Sequence, residues 1–173
     1  MKHSLGVLLL FVSLTTYANE WLQWPMSGVA TLNWGPFKIY DSQLRLPEGH
    51  YAGPLADQAL IITYRRNIDS DDLIDATREQ WQALGVLSQE PQSEAWLALL
   101  RKLWPDVQDG SQLAFVLQNK QGQFWYRPAG STAAFSPLGG PLSADLSRWF
   151  LAIWLDARTS YPELRQQLLG RAK

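Results

Sequence analysis

Residues Arg148–Gly170 read R-W-F-L-A-I-W-L-D-A-R-T-S-Y-P-E-L-R-Q-Q-L-L-G. Trp149, Phe150, Ile153 and Trp154 recur at the spacing of one helix face. Asp156–Ser160 then make a short polar corner, and a second amphipathic helix follows. Ser160 and Glu163 have the spacing of a capping box, in which hydroxyl and carboxylate satisfy backbone N–H groups that a helix start leaves open. Gly170 stands where that helix should stop. Two helices joined by a tight corner form an arm clamped over the domain. The upstream chain must supply the surface that they cover.

That surface is legible as strands. Ala30, Leu32 and Trp34 alternate with Thr31 and Asn33, the period of a half-buried strand, and Gly35-Pro36 punctuates it. Phe37–Leu46 continues as a second strand. Phe37 and Ile39 share one face of it and Leu44 and Leu46 the other, which predicts a bulge near Asp41-Ser42 or burial on both sides. Ala59–Tyr64 is apolar without alternation, as in a central strand. A helix capped by Asp69 or Ser70 carries Leu73, Ile74, Thr77, Trp81 and Leu84 as its buried stripe and ends at Gly85. A second helix runs from Ser93 to Trp104, and Pro105 stops it. Leu113–Leu117 and Gln123–Arg127 flank Asn119-Lys120-Gln121-Gly122 as a hairpin. Thr132–Phe135 is read as a further short strand, Gly139-Gly140-Pro141 as a loop, and Ser143 as the cap of the opening helix. The pattern predicts an α+β fold, an antiparallel sheet with helices layered on one face.

The chain has 173 residues, the size of one domain with a core. Its start reads as a secretory signal peptide: Lys2 and His3, then an apolar Leu5–Leu14, then Thr16-Tyr17-Ala18 as the cleavage site. Residues 1–18 are therefore assigned to the leader and 19–173 to one periplasmic domain. The apolar run is short for a bilayer span, so no stable membrane insertion is expected after cleavage. The absence of cysteine removes disulfides, thiol nucleophiles and thiolate-bound metals. Sixteen acidic residues stand against fourteen basic ones once Lys2 is removed, and no basic stretch has the footprint of a nucleic-acid site. A monomer is expected.

Few residues offer chemistry. His50, in a turn, is the one histidine after the leader, and no phosphate-binding, dinucleotide or zinc-protease motif occurs. No catalytic residue, metal site or cofactor is assigned. Asp69, Asp71, Asp72 and Asp75 fit a helix start, where the dipole favours acids. Arg66 is the polar residue of interest, at the end of the central strand. Alternation sends Tyr64 and Arg66 to one side and Arg65 to the other. A guanidinium facing the helices would need an anion: Asp156, Asp75 or Glu79 of the chain, or the carboxylate of a bound ligand. Tyr40, Tyr64 and Tyr126 are candidate hydrogen-bonding phenols. Trp81, Trp96, Trp104, Trp149 and Trp154 lie on helix stripes at core spacing.

The C-terminal stretch F-L-A-I-W-L-D-A-R-T-S-Y-P-E-L-R-Q-Q-L-L-G resembles the signature of the bacterial chalcone-isomerase-like proteins. G-P-F-K-I-Y-D-S-Q-L-R-L, I-T-Y-R-R-N-I-D-S-D-D-L and L-W-P-D-V-Q-D-G-S-Q-L resemble further family segments in the same order. The resemblance implies an open-faced β-sandwich with a cleft between sheet and helices. It also implies one of two activities: an isomerase, or intramolecular lyase, closing a chalcone-like enone, or non-enzymatic fatty-acid binding. The enzymes' arginine falls near Gly28 and their threonine near Tyr40, and the tyrosine and asparagine of their cleft helix are absent from Asp72–Glu79. The enzyme constellation does not carry over. In the fatty-acid-binding relatives an arginine at the end of the central strand meets the ligand carboxylate, and Arg66, with Tyr64 nearby, resembles it in position. The sequence thus points to a non-catalytic periplasmic protein that binds a fatty acid or similar apolar carboxylate through Arg66, Tyr64 and Tyr40. Leu60, Ile62, Trp81 and Phe150 are expected as apolar walls. The alternatives are the enone isomerase, with Tyr40 or Tyr64 as general acid, and a partner-binding module marked by exposed tryptophan on the open sheet face.

Overall fold

The computed structural model describes residues 19–172, so the leader assignment falls outside the described residues. Six strands form one antiparallel sheet in chain order: β1 Met26–Trp34, β2 Phe37–Arg45, β3 Gln58–Tyr64, β4 Gln112–Gln118, β5 Gln121–Arg127 and β6 Ser136–Leu142. Between β3 and β4 lie α1 Ser70–Ala83, α2 Val86–Gln89 and α3 Ser93–Leu103, and after β6 come α4 Ala144–Leu155 and α5 Pro162–Leu168. The helices cover one face, so the fold is α+β with an open antiparallel sheet.

The register explains which residues face the helices. Tyr40, Ser42 and Leu44 pair with Tyr64, Ile62 and Leu60, which continue into Leu113 and Phe115 of β4. All of these are buried. The expected bulge lies two residues earlier than Asp41-Ser42. β1 pairs Leu32 with Tyr40 and Asn33 with Lys38, leaving Ile39 as the extra residue. The bulge lets Ile39 and Tyr40 both pack against the helix-side core, which accounts for the change of face along β2.

The core is aromatic. Phe150 of α4 packs on Phe115 and Phe124 at centroid distances of 4.9 Å each and on Trp154 at 5.1 Å. Trp81 Nε1 of α1 donates to the carbonyl of Trp149 at 2.9 Å, joining the two cleft helices. All five helical tryptophans are buried, as their spacing predicts. On the other face a smaller core forms where the 3-10 turn Glu20–Gln23 lays Trp21 against Ile61, Val116 and Phe135.

Several local expectations are corrected. β6 runs through Ser136–Leu142, across the glycines and prolines read as a loop, and Thr132–Phe135 is not a strand. An edge strand tolerates proline because one side of its backbone makes no ladder bonds. The capping box at Ser160 does not form: α5 begins after Tyr161, whose N–H donates to Thr159 Oγ1 at 3.1 Å. Proline at the first helical position sets this start, having no N–H to satisfy. At α1 the Asp69 side chain makes no cap, and Asp106 Oδ1 accepts instead from the Ser70 N–H at 2.8 Å. The hairpin turn is the two-residue Asn119-Lys120, both at positive φ.

α5 closes on β1 through two glycines. Gly170, at φ +67°, ends the helix with paired bonds from its N–H to Gln167 O and from Arg171 N–H to Gln166 O. Gly28 lets the end of α5 reach the sheet, because a Cβ there would overlap Gln167 O and lie 2.8 Å from Leu168 O. Gly28→Ala is expected to lower stability by about 2–3 kcal/mol through overpacking. A urea midpoint unchanged from wild type would show that α5 does not bear on β1 as described.

Candidate functional site

The sheet and the helices part at one place. β2 and β3 contribute Tyr40, Ile62 and Tyr64, α1 contributes Leu73, Ala76, Thr77 and Gln80, and α4 contributes Phe150, Ile153 and Trp154. Leu113, Ile68, Trp104 and Tyr161 complete an apolar cleft of about 150 Å³, with Asp72 on its rim. The opening exists because the α1 residues nearest the sheet there are small or end early. Thr77 turns its hydroxyl back to the Leu73 carbonyl at 2.9 Å, and Ala76 has no side chain long enough to fill the mouth.

Polar groups in the cleft are few and fixed. Tyr40 Oη accepts from Trp154 Nε1 at 2.9 Å, which locks the phenol between β2 and α4. Tyr64 sits edge-on to Tyr40 with ring centroids 6.2 Å apart. Its side chain is buried, while its hydroxyl, bonded to no other group among the described residues, keeps some accessible surface. Gln80 Nε2 donates to Tyr161 Oη at 3.1 Å and closes one side. A second donor in the same wall, Trp104 Nε1–H, is buried without a partner. Burial raises both central phenols far above the ordinary value of 10.0, and for Tyr40 the Trp154 hydrogen bond offsets only part of this. Both are neutral at physiological pH. The cleft therefore presents hydrogen-bond donors in an apolar chamber.

Tyr40 and Tyr64 thus meet in one cavity, and Arg66 does not join them. β3 ends at Tyr64, and the Arg65 N–H returns to the Ile39 carbonyl at 2.9 Å. The strand alternation that would carry Arg66 inward stops there, and Arg66 is exposed. Arg65 points to the opposite face and bonds Asp41 Oδ2 at 2.6 Å. The Thr31 hydroxyl, the larger influence, and Arg65 hold the Asp41 carboxyl below its usual range. Of Arg66's expected partners, Asp156 pairs with Arg158 at 3.0 Å. No arginine, lysine or histidine lines the cleft among the described residues. Of the expected walls, Ile62 and Phe150 line it, whereas Leu60 and Trp81 are packed in the core outside it. Trp104, Gln80 and Tyr161 are additions that only the packing of three separate segments reveals. Among the described residues no three of His, Asp or Glu converge as a metal site requires, and no helix is long and apolar enough to cross a membrane.

The open face carries a second feature. Thr31, Asp41, Thr63, Gln112 and Arg127 are successive cross-strand partners on five strands. Thr31 Oγ1 donates to Asp41 at 2.6 Å, Gln112 Nε2 to Thr63 Oγ1 at 3.0 Å, and Arg127 Nε to Gln112 Oε1 at 2.8 Å. These side chains mostly satisfy one another, and Thr31, Asp41 and Thr63 of the row line an open depression on this face.

The chain matches no family model. An uncharacterized protein of Haemophilus influenzae is similar to it, with 25% identity over 166 residues that span 95% of this chain and 78% of the relative.

The neutral buried phenols set an alkaline limit on stability. Their folded pKa values lie above the unfolded value, so their contribution is intact below about pH 10. Above that the unfolded state sheds protons that the folded state keeps, and stability falls by about 1.4 kcal/mol per pH unit for each phenol. Tyr64→Phe should remove one share of that slope. Tyrosinate absorbance from these two residues should rise together with loss of tertiary circular dichroism, and titration in the intact fold would contradict the burial.

Proposed function

We propose that this is a non-catalytic binding protein, exported to the periplasm by its leader, whose cleft holds a small apolar molecule bearing an oxygen acceptor. The observation that carries the reading is the open apolar cleft, whose lining includes Tyr64, with a hydroxyl bonded to no other group among the described residues, and Trp104, whose buried Nε1–H has no partner. A neutral buried donor without a partner forfeits about 1–3 kcal/mol, which a ligand oxygen would recover. The open antiparallel sheet with its cleft under the helices supports kinship with the chalcone-isomerase-like proteins, whose non-enzymatic members the sequence resembles.

Volume narrows the ligand. An apolar cavity of about 150 Å³ accepts a molecule the size of benzene, whereas drug-sized ligands occupy roughly 300–1,000 Å³. A ring, a short acyl chain or the end of a longer chain fits, with the remainder leaving past Ala76 and Asp72. A two-ring enone, the isomerase substrate, would seat one ring in the cleft and leave the other at the mouth. Charge narrows it further. Without a cation in the walls, an ionised carboxylate inside would cost several kcal/mol, more than the roughly 1.5–3 kcal/mol that a charged hydrogen bond returns. An apolar acid therefore enters protonated, or keeps its carboxylate at the mouth near the segment that holds Arg66 and Ile68.

Titration with cyclohexanone and with hexanoic acid, followed by tryptophan fluorescence, tests this. Both should bind, Tyr64→Phe should weaken cyclohexanone about fivefold, and Ala76→Trp, at the exposed mouth, should block both. Hexanoic acid should bind tighter as pH falls through the acid's own pKa, while cyclohexanone should not change. Tight binding of the ionised acid that Arg66→Ala abolishes would restore the carboxylate clamp instead. Absence of binding by either ligand would overturn the proposal, and turnover of trans-chalcone would favour the isomerase.

A further inference from the structure

The two edges of the sheet are built differently. β6 carries Pro137 and Pro141 within seven residues, and prolines blunt an edge because they cannot donate to a further strand. β1, M-S-G-V-A-T-L-N-W, has neither a proline nor a charged residue over nine positions. Outside its ladder with β2, no backbone hydrogen bond joins Met26–Trp34 to another segment among the described residues. α5 packs on the helix-side face of the strand, where Ala30 is buried and Leu32 half-buried. The lateral backbone edge of Val29–Trp34 is left unpaired among the described residues.

Four of the five large apolar side chains exposed among the described residues belong to the same hairpin, Leu99 of α3 being the fifth. Met26 and Val29 are 55% and 59% exposed at the start of β1, and Trp34 and Phe37 are 72% and 58% exposed at its tip. We infer that β1 pairs antiparallel with β1 of a second copy of this chain about a twofold axis near Thr31, joining two sheets into one of twelve strands. This replaces the monomer expected from the sequence. Three features favour a second copy over an unrelated strand. The apolar groups sit at opposite ends of β1, and an antiparallel copy brings the Trp34–Phe37 end of each chain alongside the Met26–Val29 end of the other. A strand without charge meets its own copy without repulsion. With the axis at Thr31, Val29 faces Asn33 and Ala30 faces Leu32, pairs that share a sheet face in each copy. The four side chains expose on the order of 400–500 Å² of apolar surface per copy. With the strand backbone they approach the roughly 800 Å² per partner of a specific interface.

Sedimentation equilibrium from micromolar to near-millimolar concentration, combined with amide hydrogen exchange, tests the pairing. The expected result is a reversible monomer–dimer equilibrium with slower exchange at residues 29–34 in the dimer. Val29→Lys replaces an exposed apolar side chain of the interface with a charge, and losing about 1 kcal/mol of apolar burial should raise the dissociation constant about fivefold. Trp34→Ser, at the hairpin tip, should weaken the dimer in the same direction. A monomer throughout the range would overturn the inference. So would a dimer that both variants leave unchanged and that gives no protection at 29–34. Protection of 29–34 in a monomer, appearing only on addition of lipid vesicles or an extended peptide, would assign the edge to a different occupant and equally overturn it.

Discussion

The packing of Phe150 against Phe115, Phe124 and Trp154 fixes the height of α4 above the sheet. Everything else on that side follows from this contact. Aromatic side chains bury roughly 150–250 Å² each and prefer the tilted, edge-on contacts seen here. The cluster therefore works as a spacer as well as a source of stability. Where it fills the layer, sheet and helices touch. Past its border, beside Tyr40 and Tyr64, α1 offers Ala76 and Thr77, and the layer is left incompletely filled. The cleft is the margin of the aromatic core.

That origin explains the chemistry of the cleft. Its polar atoms are the tips of residues whose rings belong to the core. Tyr40 is held by Trp154, Tyr161 by Gln80, and Tyr64 by its ring alone. Ring packing holds these hydroxyls in place, the preorganisation that the proposed binding would use. The cleft is also poorly suited to charge. The cations of this region, Arg65 and Arg66, lie beyond the strand end and not in the walls. The asymmetry between buried neutral donors and excluded cations directs the reading toward neutral oxygen acceptors.

Much of the fold can be read from the sequence because apolar spacing reports burial directly. The stripe from Ile74 to Trp81, the α4 aromatics and the Leu113–Arg127 hairpin all stand where their periodicity puts them. Edge structure is less legible: Ser136–Leu142 looks like a loop because prolines and glycines break strands elsewhere, and only its position at the margin of the sheet admits them. Caps are similarly ambiguous, since Thr159 and Ser160 are adjacent hydroxyls and the choice depends on where Pro162 begins the helix. For the site, Tyr40 and Tyr64 follow from strand alternation. Arg66 departs from it because a strand's alternation ends with its last ladder bond. Trp104, Gln80 and Tyr161 come from three distant segments, and no local pattern brings them together.

An apolar space large enough for a small molecule lies between Tyr64 and α4 in the folded protein. A crystal of the protein pressurised with xenon tests it most directly, because xenon enters dry apolar cavities and avoids polar hydrated ones. A xenon atom bounded by Ile62, Tyr64, Phe150 and Ile153 is expected, with the surrounding side chains unmoved. A cleft that holds ordered water, or that has closed by collapse of α1 onto the sheet with no xenon bound, would contradict it.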